Sequence, residues 1–402
     1  MASIFYRLYG LIHLSLKSLL RRNKLSIGPL TGRILPLGCD LSKALMVWSL
    51  FVEHSTIHSD MYAGLHYAGY IAESKEWCLP NWVWTNAASV RMFCSVGDID
   101  KAIALGNILE RSQHDSGGWV VRYDYDSIGA YPVLAPNDSA YIANNAFLSL
   151  YKVTREDRYL RIAVRCADWI INTARPDGLV HTGYNMRDEK WDTSYVIVDI
   201  GFTAGFFATL YELTGDNQYK EFLQRFVCRY SELFYLPSKK GFCTSIDSNN
   251  CPRGGMFSRG QAWALEGLIP SYRVLKNDTL KSIIEETISN LIVKQNRGGG
   301  WPYNLTRKLM GEDCKAVSVI AKNMMDWFVI SGEEKIVKSA NKALEWCCRH
   351  TANRGDAIGG IFSYSIEGAI VKNLYTSCAF VYASAYAIEL ENLLLDGVYN
   401  TN

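Results

Sequence analysis

The stretch VDIGFTAGFFATLYELTGDNQYKEFLQRFVCRYSELF, residues 198–234, reads as two helices of different character joined by a turn. Its first half, to Thr214, holds Gly, Ala, Thr and Phe with few charges. That is the composition of a helix surrounded on most sides. The second half places Lys220, Glu221, Arg225, Arg229 and Glu232 against an apolar stripe, as in a helix with one face in water. The break at Thr214-Gly215-Asp216 is short, and short links make antiparallel neighbours.

The same phrase recurs at residues 137–179, 258–301 and 312–350, with a weaker copy at 85–119. Each copy ends in a glycine-bearing loop: Gly117-Gly118-Trp119, Pro176-Asp177-Gly178, Lys240-Gly241-Phe242, Gly299-Gly300-Trp301 and Gly359-Gly360-Ile361. These read as turns or small hairpins on one rim. After the last loop, YTSCAFVYASAYAIELENLL has the inner composition and lacks an outer partner, whereas a helical N-terminal stretch is left over. The economical solution is closure, with an N-terminal helix packing outside the last inner helix. The expected fold is all-α, an (α/α)6 toroid or six-hairpin barrel with short hairpin loops on one rim. An open solenoid is the rival architecture. The toroid is expected to be a single catalytic domain over 36–396, preceded by an N-terminal amphipathic segment, 1–35.

Composition bounds the function. The chain has 402 residues, 49% hydrophobic and 20% charged, with a net charge of +2. This is ordinary globular composition, and the bulk charge suggests neither nucleic acid nor an acidic polymer as partner. The 11 Trp and 24 Tyr suit a sugar cleft as well as a helix-packed core. The 11 Cys lack framework and zinc spacings, which fits buried free thiols in a reducing compartment and no structural metal. A cytoplasmic location is the default. The segment MASIFYRLYGLIHLSLKSLLRRNK is too polar to span a bilayer, yet Lys17, Arg21, Arg22 and Lys24 would suit an amphipathic helix on an anionic membrane surface. Packing on the domain, or a loose arm, is the alternative.

A polar residue marks the start of each inner helix: Asn86, Asp138, Asp199, Arg259, Asp313 and the pair Tyr375-Thr376. In a closed toroid these starts share one rim, so the six positions would surround one cavity mouth. A single Asp there is commonly just a helix cap. Arg259 is different, because a cation opposes the positive end of the helix dipole. Its fork can hold a carboxylate, with Trp263 to stack on a sugar and Gln261 to hydrogen-bond. His181, after RPDG, and Trp301 are further rim candidates.

Arg259-Gly260-Gln261-Ala262-Trp263 resembles the RGQAW phrase of the unsaturated glucuronyl and rhamnogalacturonyl hydrolases, glycoside hydrolase families 88 and 105. The resemblance extends to Asp199 one helix before Thr214-Gly215-Asp216 and Tyr219, to Asp138 one repeat earlier, and to Asp313 in EDCKAVSVIA. It implies hydration of the C4=C5 vinyl ether of a terminal unsaturated uronic acid on an oligosaccharide or polysaccharide, with no metal or organic cofactor. Asp199 would be the acid and then the base, and Asp138 a neighbouring like charge that orients water. Arg259, Gln261, Trp263, Asn86, Asp313, His181 and Trp301 would contact substrate. Two other readings stay open: an epimerase or lyase on the same fold, and a non-catalytic glycan-binding relative. The segment CTSIDSNNCPRGGMF, residues 243–257, lacks a His that glucuronyl members carry, and this favours the last.

Overall fold

The computed structural model describes residues 41–58, 63–71, 75–78, 83–122, 132–352, 354–367 and 370–376. The N-terminal segment 1–35 lies outside them. In chain order the elements are α1 (Leu41–His54), β1 (Gly69–Ile71), β2 (Glu76–Cys78), α2 (Val83–Val96), α3 (Ile99–Arg111), β3 (Val120–Arg122) and β4 (Pro132–Leu134). Next come α4 (Pro136–Ile142), a π-helical stretch (Ala143–Leu148), α5 (Ser149–Thr154), α6 (Asp157–Asn172), β5 (Tyr184–Asn185), β6 (Lys190–Trp191) and β7 (Tyr195–Ile197). They are followed by a 3-10 turn (Val198–Ile200), α7 (Gly201–Thr214), α8 (Asn217–Phe234), β8 (Tyr235–Leu236), β9 (Gly241–Phe242), β10 (Ser245–Asp247), β11 (Pro252–Arg253), α9 (Ser258–Leu275) and α10 (Asp278–Lys294). The remainder is β12 (Pro302–Asn304), β13 (Arg307–Glu312), α11 (Cys314–Ser331), α12 (Glu334–Arg349), β14 (Ile361–Glu367) and β15 (Ile370–Thr376). Among the described residues no helix is long and apolar enough to cross a membrane.

The chain divides into two compact units, residues 81–291 and residues 1–80 with 292–402. The first holds four helical hairpins: α2 with α3, the run α4 to α5 with α6, α7 with α8, and α9 with α10. Inner and outer roles follow the composition. Every residue of α7 from Gly201 to Leu210 is buried, whereas α8 buries Tyr219, Phe222, Leu223, Phe226, Val227 and Tyr230 and turns its charges to water. The turns use left-handed residues, Arg155, Gly215 and Lys276, whose N–H groups close the preceding helix. Glycines let α7 and α9 approach closely. A Cβ on Gly267 would fall 2.1 Å from the Gly201 carbonyl oxygen, and one on Gly205 3.0 Å from that of Glu266.

The second unit holds the fifth hairpin, α11 with α12, together with α1 and a sheet ordered β14-β15-β1-β2. Tyr375 and Thr376 belong to β15, where they pair with Tyr70 and Gly69 of β1. They therefore end a strand and do not open an inner helix, and the rest of that expected helix lies outside the described residues.

A recurrent clamp links three of the loops to a helix. Gly117 sits against the Arg165 carbonyl and Trp169 on α6, and Gly299 against the Lys342 carbonyl and Trp346 on α12. In both copies a glutamine ties the loop down. Gln113 Nε2 donates to the carbonyls of Gly117 and Ile162, and Gln295 Nε2 to those of Gly299 and Ser339. Gly359, in the loop after α12, makes the same approach to the Val47 carbonyl and Phe51 of α1. Helix α1 thus takes the place that α6 and α12 take for earlier loops, and Trp48 Nε1 of α1 donates to Thr351 Oγ1 at 2.8 Å. The last inner helix, outside which the sequence reading places an N-terminal helix, lies outside the described residues.

Candidate active site at the starts of the inner helices

Unit 81–291 contains Asn86, Asp138, His181, Asp199, Arg259, Gln261 and Trp263, and the other unit contains Asp313 and Trp301. The helix starts that carry Asn86, Asp138, Asp199 and Arg259 are joined by aromatic side chains. Trp84 on α2 meets Tyr141 on α4 edge to face at 5.5 Å. Tyr141 meets Phe202 on α7 at 4.8 Å, and Phe202 meets Trp263 on α9 at 5.5 Å. Tyr141 lies three residues after Asp138, Phe202 three after Asp199, and Trp263 four after Arg259. Such spacings place each pair on one helix face. Four inner helices from distant sequence thus start side by side.

Asp199 and Arg259 are tied more directly. The Val198 side chain lies against Gly260, where a Cβ would come within 3.0 Å of its Cγ1. Strand β7 pairs with β10, and Val198 N–H donates to the Thr244 carbonyl at 2.9 Å. The Tyr230 hydroxyl reaches in from α8 and donates to the Val198 carbonyl at 2.8 Å. Burial raises the Tyr230 phenol well above its usual pKa, and the charge of Asp199 pushes it further. The turn that carries Asp199 is therefore held from both sides.

Asp138 and Asp199 are not the caps of their helices. Asp138 is the third residue of α4, whose cap position is Ala135, and Asp199 lies in the 3-10 turn between cap positions Ile197 and Ile200. Asp138 is buried and its Oδ1 accepts from Asn137 Nδ2 at 3.0 Å, whereas Asp199 is half-buried. The helix widens into the π-helical stretch at Ala143, one turn beyond Asp138, and such widenings are frequent at functional sites.

Five of the expected substrate contacts, Gln261, Trp263, Trp301, Asp313 and Asn86, are buried. Gln261 is buried and its amide is taken up by backbone: Oε1 accepts from Phe242 N–H at 2.7 Å, while Nε2 donates to the Phe242 carbonyl at 2.9 Å and that of Phe257 at 3.1 Å. It fastens the β8–β9 hairpin to α9. Trp263 is only 6% exposed, with Phe202 at its ring edge and the Arg259 guanidinium over its face at 4.8 Å. Its ring is the platform on which Arg259 rests. Trp301 is wholly buried, like Trp119, its counterpart after Gly117-Gly118. Asp313 is the cap of α11 and accepts from Lys315 N–H at 3.1 Å, the role an isolated helix-start Asp ordinarily has. Asn86 is wholly buried on α2.

His181 stacks on Trp191 at 4.7 Å, and Tyr184 meets the same ring at its edge. Burial, followed by the charge of Arg175, lowers its pKa. Its loop leads to β5, which pairs with β4, the strand running into α4 and Asp138. Among the described residues no group of three His, Cys, Asp or Glu side chains is arranged to hold a metal ion. Sequence reasoning passed over Asn137 and Tyr230. Asn137 adjoins an Asp already chosen, but nothing in sequence places Tyr230 beneath Val198.

No family model matches the chain, and no curated protein sequence does. Solved structures do. An unsaturated glucuronyl hydrolase from Bacillus sp. GL1, responsible for the degradation of glycosaminoglycan, aligns with a TM-score of 0.69 at 14% identity, covering 87% of this chain and 96% of its own. A cellobiose 2-epimerase from Bacillus thermoamylovorans aligns with a TM-score of 0.70 at 11% identity, covering 88% and 98%. A family 105 glycoside hydrolase from C. acetobutylicum aligns with a TM-score of 0.60 at 13% identity, covering 78% and 94%. At such identities the likeness establishes the fold, the all-α six-hairpin (α/α)6 class expected from the sequence.

Proposed function

We propose that this chain is a glycan-active hydrolase that releases a terminal unsaturated uronic acid from an oligosaccharide or polysaccharide by hydrating its vinyl ether. The observation that carries the reading is the convergence of Asp138, Asp199 and Arg259 through the Tyr141–Phe202–Trp263 run, with both carboxylates lying off the cap positions. Likeness to glucuronyl hydrolases supports it.

Asp199, protonated, delivers its proton to C4 of the unsaturated ring, and water adds at C5. The Asp199 carboxylate so formed takes a proton from that water. The product is a hemiketal, which opens and expels the remaining saccharide. Asp138 accepts a hydrogen bond within the site and orients the water. Arg259, fixed over Trp263, binds the uronate carboxylate, because a guanidinium fork matches a carboxylate better than an ammonium does. His181 lines the approach.

Loss of ultraviolet absorbance from a panel of unsaturated uronide oligosaccharides tests the reading, with wild type and Asp199→Asn in parallel. Turnover by wild type alone is expected, and equal turnover by both removes the mechanism. A sugar epimerase is the second reading, favoured by the equally good likeness to the cellobiose 2-epimerase. Exchange of solvent deuterium into a reducing disaccharide, with the ultraviolet assay silent, would select it.

A further inference from the structure

Asn137 stands beside Asp138 with one end of its amide used and the other not. Nδ2 donates to Asp138 Oδ1 at 3.0 Å. Oδ1 is buried and has no hydrogen-bond partner among the described residues, and the side chain as a whole is 2% exposed. A buried amide oxygen left unmatched costs free energy comparable to a lost hydrogen bond, so native structures rarely leave one bare. The two ends belong to one rigid amide. With Nδ2 anchored on Asp138, Oδ1 is held on the same planar group, buried beside that carboxylate.

We propose that Asn137 is a binding residue of the site whose Oδ1 accepts a hydrogen bond from an O–H group next to Asp138. This rests on the hydrolase reading given above. An amide oxygen and a carboxylate are both acceptors, so the complement is a donor, which excludes the uronate carboxylate and assigns that group elsewhere. Two O–H donors fit: the hydrolytic water, and a hydroxyl of the sugar ring. A water whose hydrogen is held by Asn137 turns a lone pair away from the amide. A sugar hydroxyl held there sets the ring against Asp138.

The test has a crystallographic and a kinetic arm. A crystal structure that resolves ordered waters, of the wild-type chain alone and soaked with glucuronic acid, is expected to show an oxygen within about 3.2 Å of Asn137 Oδ1. Asn137→Leu, near in volume, and Asn137→Ala, which leaves room for water, are compared on the unsaturated uronide that wild type turns over, after circular dichroism establishes folding. A fall in kcat of about tenfold with unchanged KM identifies the hydrolytic water. A rise in KM of about tenfold identifies a sugar hydroxyl. Absence of the oxygen in both crystals overturns the proposal. So does its presence with kcat and KM both within twofold of wild type, which marks a structural water. If wild type turns over no uronide, the hydrolase reading has failed. Calorimetric binding of glucuronic acid to wild type and Asn137→Leu then decides: about tenfold weaker binding supports the proposal, and equal or absent binding overturns it.

Discussion

Replacing Gly267 by Ala tests the contact that sets Asp199 beside Arg259. The new Cβ would lie 2.1 Å from the Gly201 carbonyl oxygen and 2.9 Å from its carbon. Real Cβ atoms essentially never come within 3.0 Å of another atom, and the obstacle is backbone, so no side chain can turn aside. Helices α7 and α9 must part by about 0.9 Å to bring the 2.1 Å approach out to 3.0 Å. Overpacking of this kind costs roughly 1–3 kcal/mol or more. Parting also forfeits a quarter to a half of the dispersion attraction along the seam. Against this, Ala is better than Gly inside a helix by about 1 kcal/mol. The balance is a net loss of roughly 1–2 kcal/mol. Urea unfolding reads it as a lower midpoint with an unchanged slope. Gly298→Ala is the control, because a Cβ there meets nothing within 4 Å, and a change within about 0.5 kcal/mol is expected. Gly205→Ala, 3.0 Å from the Glu266 carbonyl oxygen, should fall between the two. A Gly267→Ala protein as stable as wild type would refute the close approach and the placement of Asp199 derived from it.

Gln261→Met removes every hydrogen bond of the amide and leaves the Phe242 N–H and carbonyl buried without it; a loss of about 2–5 kcal/mol in urea unfolding is expected, and an unchanged midpoint contradicts the clamp. Burial lowers the His66 pKa from 6.5 to about 4, so the fold favours the neutral ring. The unfolded chain then binds more protons below pH 6.5, and stability is full above that pH and declines as pH falls towards 4, by roughly 3 kcal/mol in total from this residue. Urea titrations across that window should show the decline, and His66→Gln should flatten it. Arg259→Lys keeps the charge and loses the fork; kcat/KM on unsaturated uronides should fall about tenfold or more with thermal unfolding little changed, and equal kcat/KM would remove Arg259 from substrate binding.

The hairpin repeat was legible because it rests on composition. Inner helices rich in Gly, Ala and Phe and outer helices with a charged face cannot exchange places, as α7 and α8 illustrate. The choice of Asp138, Asp199 and Arg259 followed from repeat position, and the aromatic run joins the helix starts that carry them. The surroundings of Gln261 and Trp263 were not legible in the sequence, for a physical reason. Gln261 stands two residues from Arg259 and so turns to another side of α9, where the β8–β9 hairpin takes up its amide, while Trp263 shares the Arg259 face and lies under the guanidinium. Trp301 looked like a rim aromatic, yet the glycines before it bring the loop onto α12 and drive the ring into the core, as they do for Trp119. Asp313 carries the same letter as Asp199 at the same address, and only cap geometry separates them.

The docking of α1 against the Gly359 loop bears on the order in which the chain is made. Trp48 and its partner Thr351 are 303 residues apart. At a synthesis rate of about 5–20 residues per second, α1 waits roughly 15–60 seconds for the segment that covers it. During that interval Trp48 and Phe51, both 0% exposed in the finished unit, have no final place to go. The four hairpins of residues 81–291 emerge meanwhile with their helix partners close behind in sequence. The chain's earliest described helix is thus late to settle, and the nascent protein must keep an apolar surface from other chains until Thr351 and Gly359 have left the ribosome.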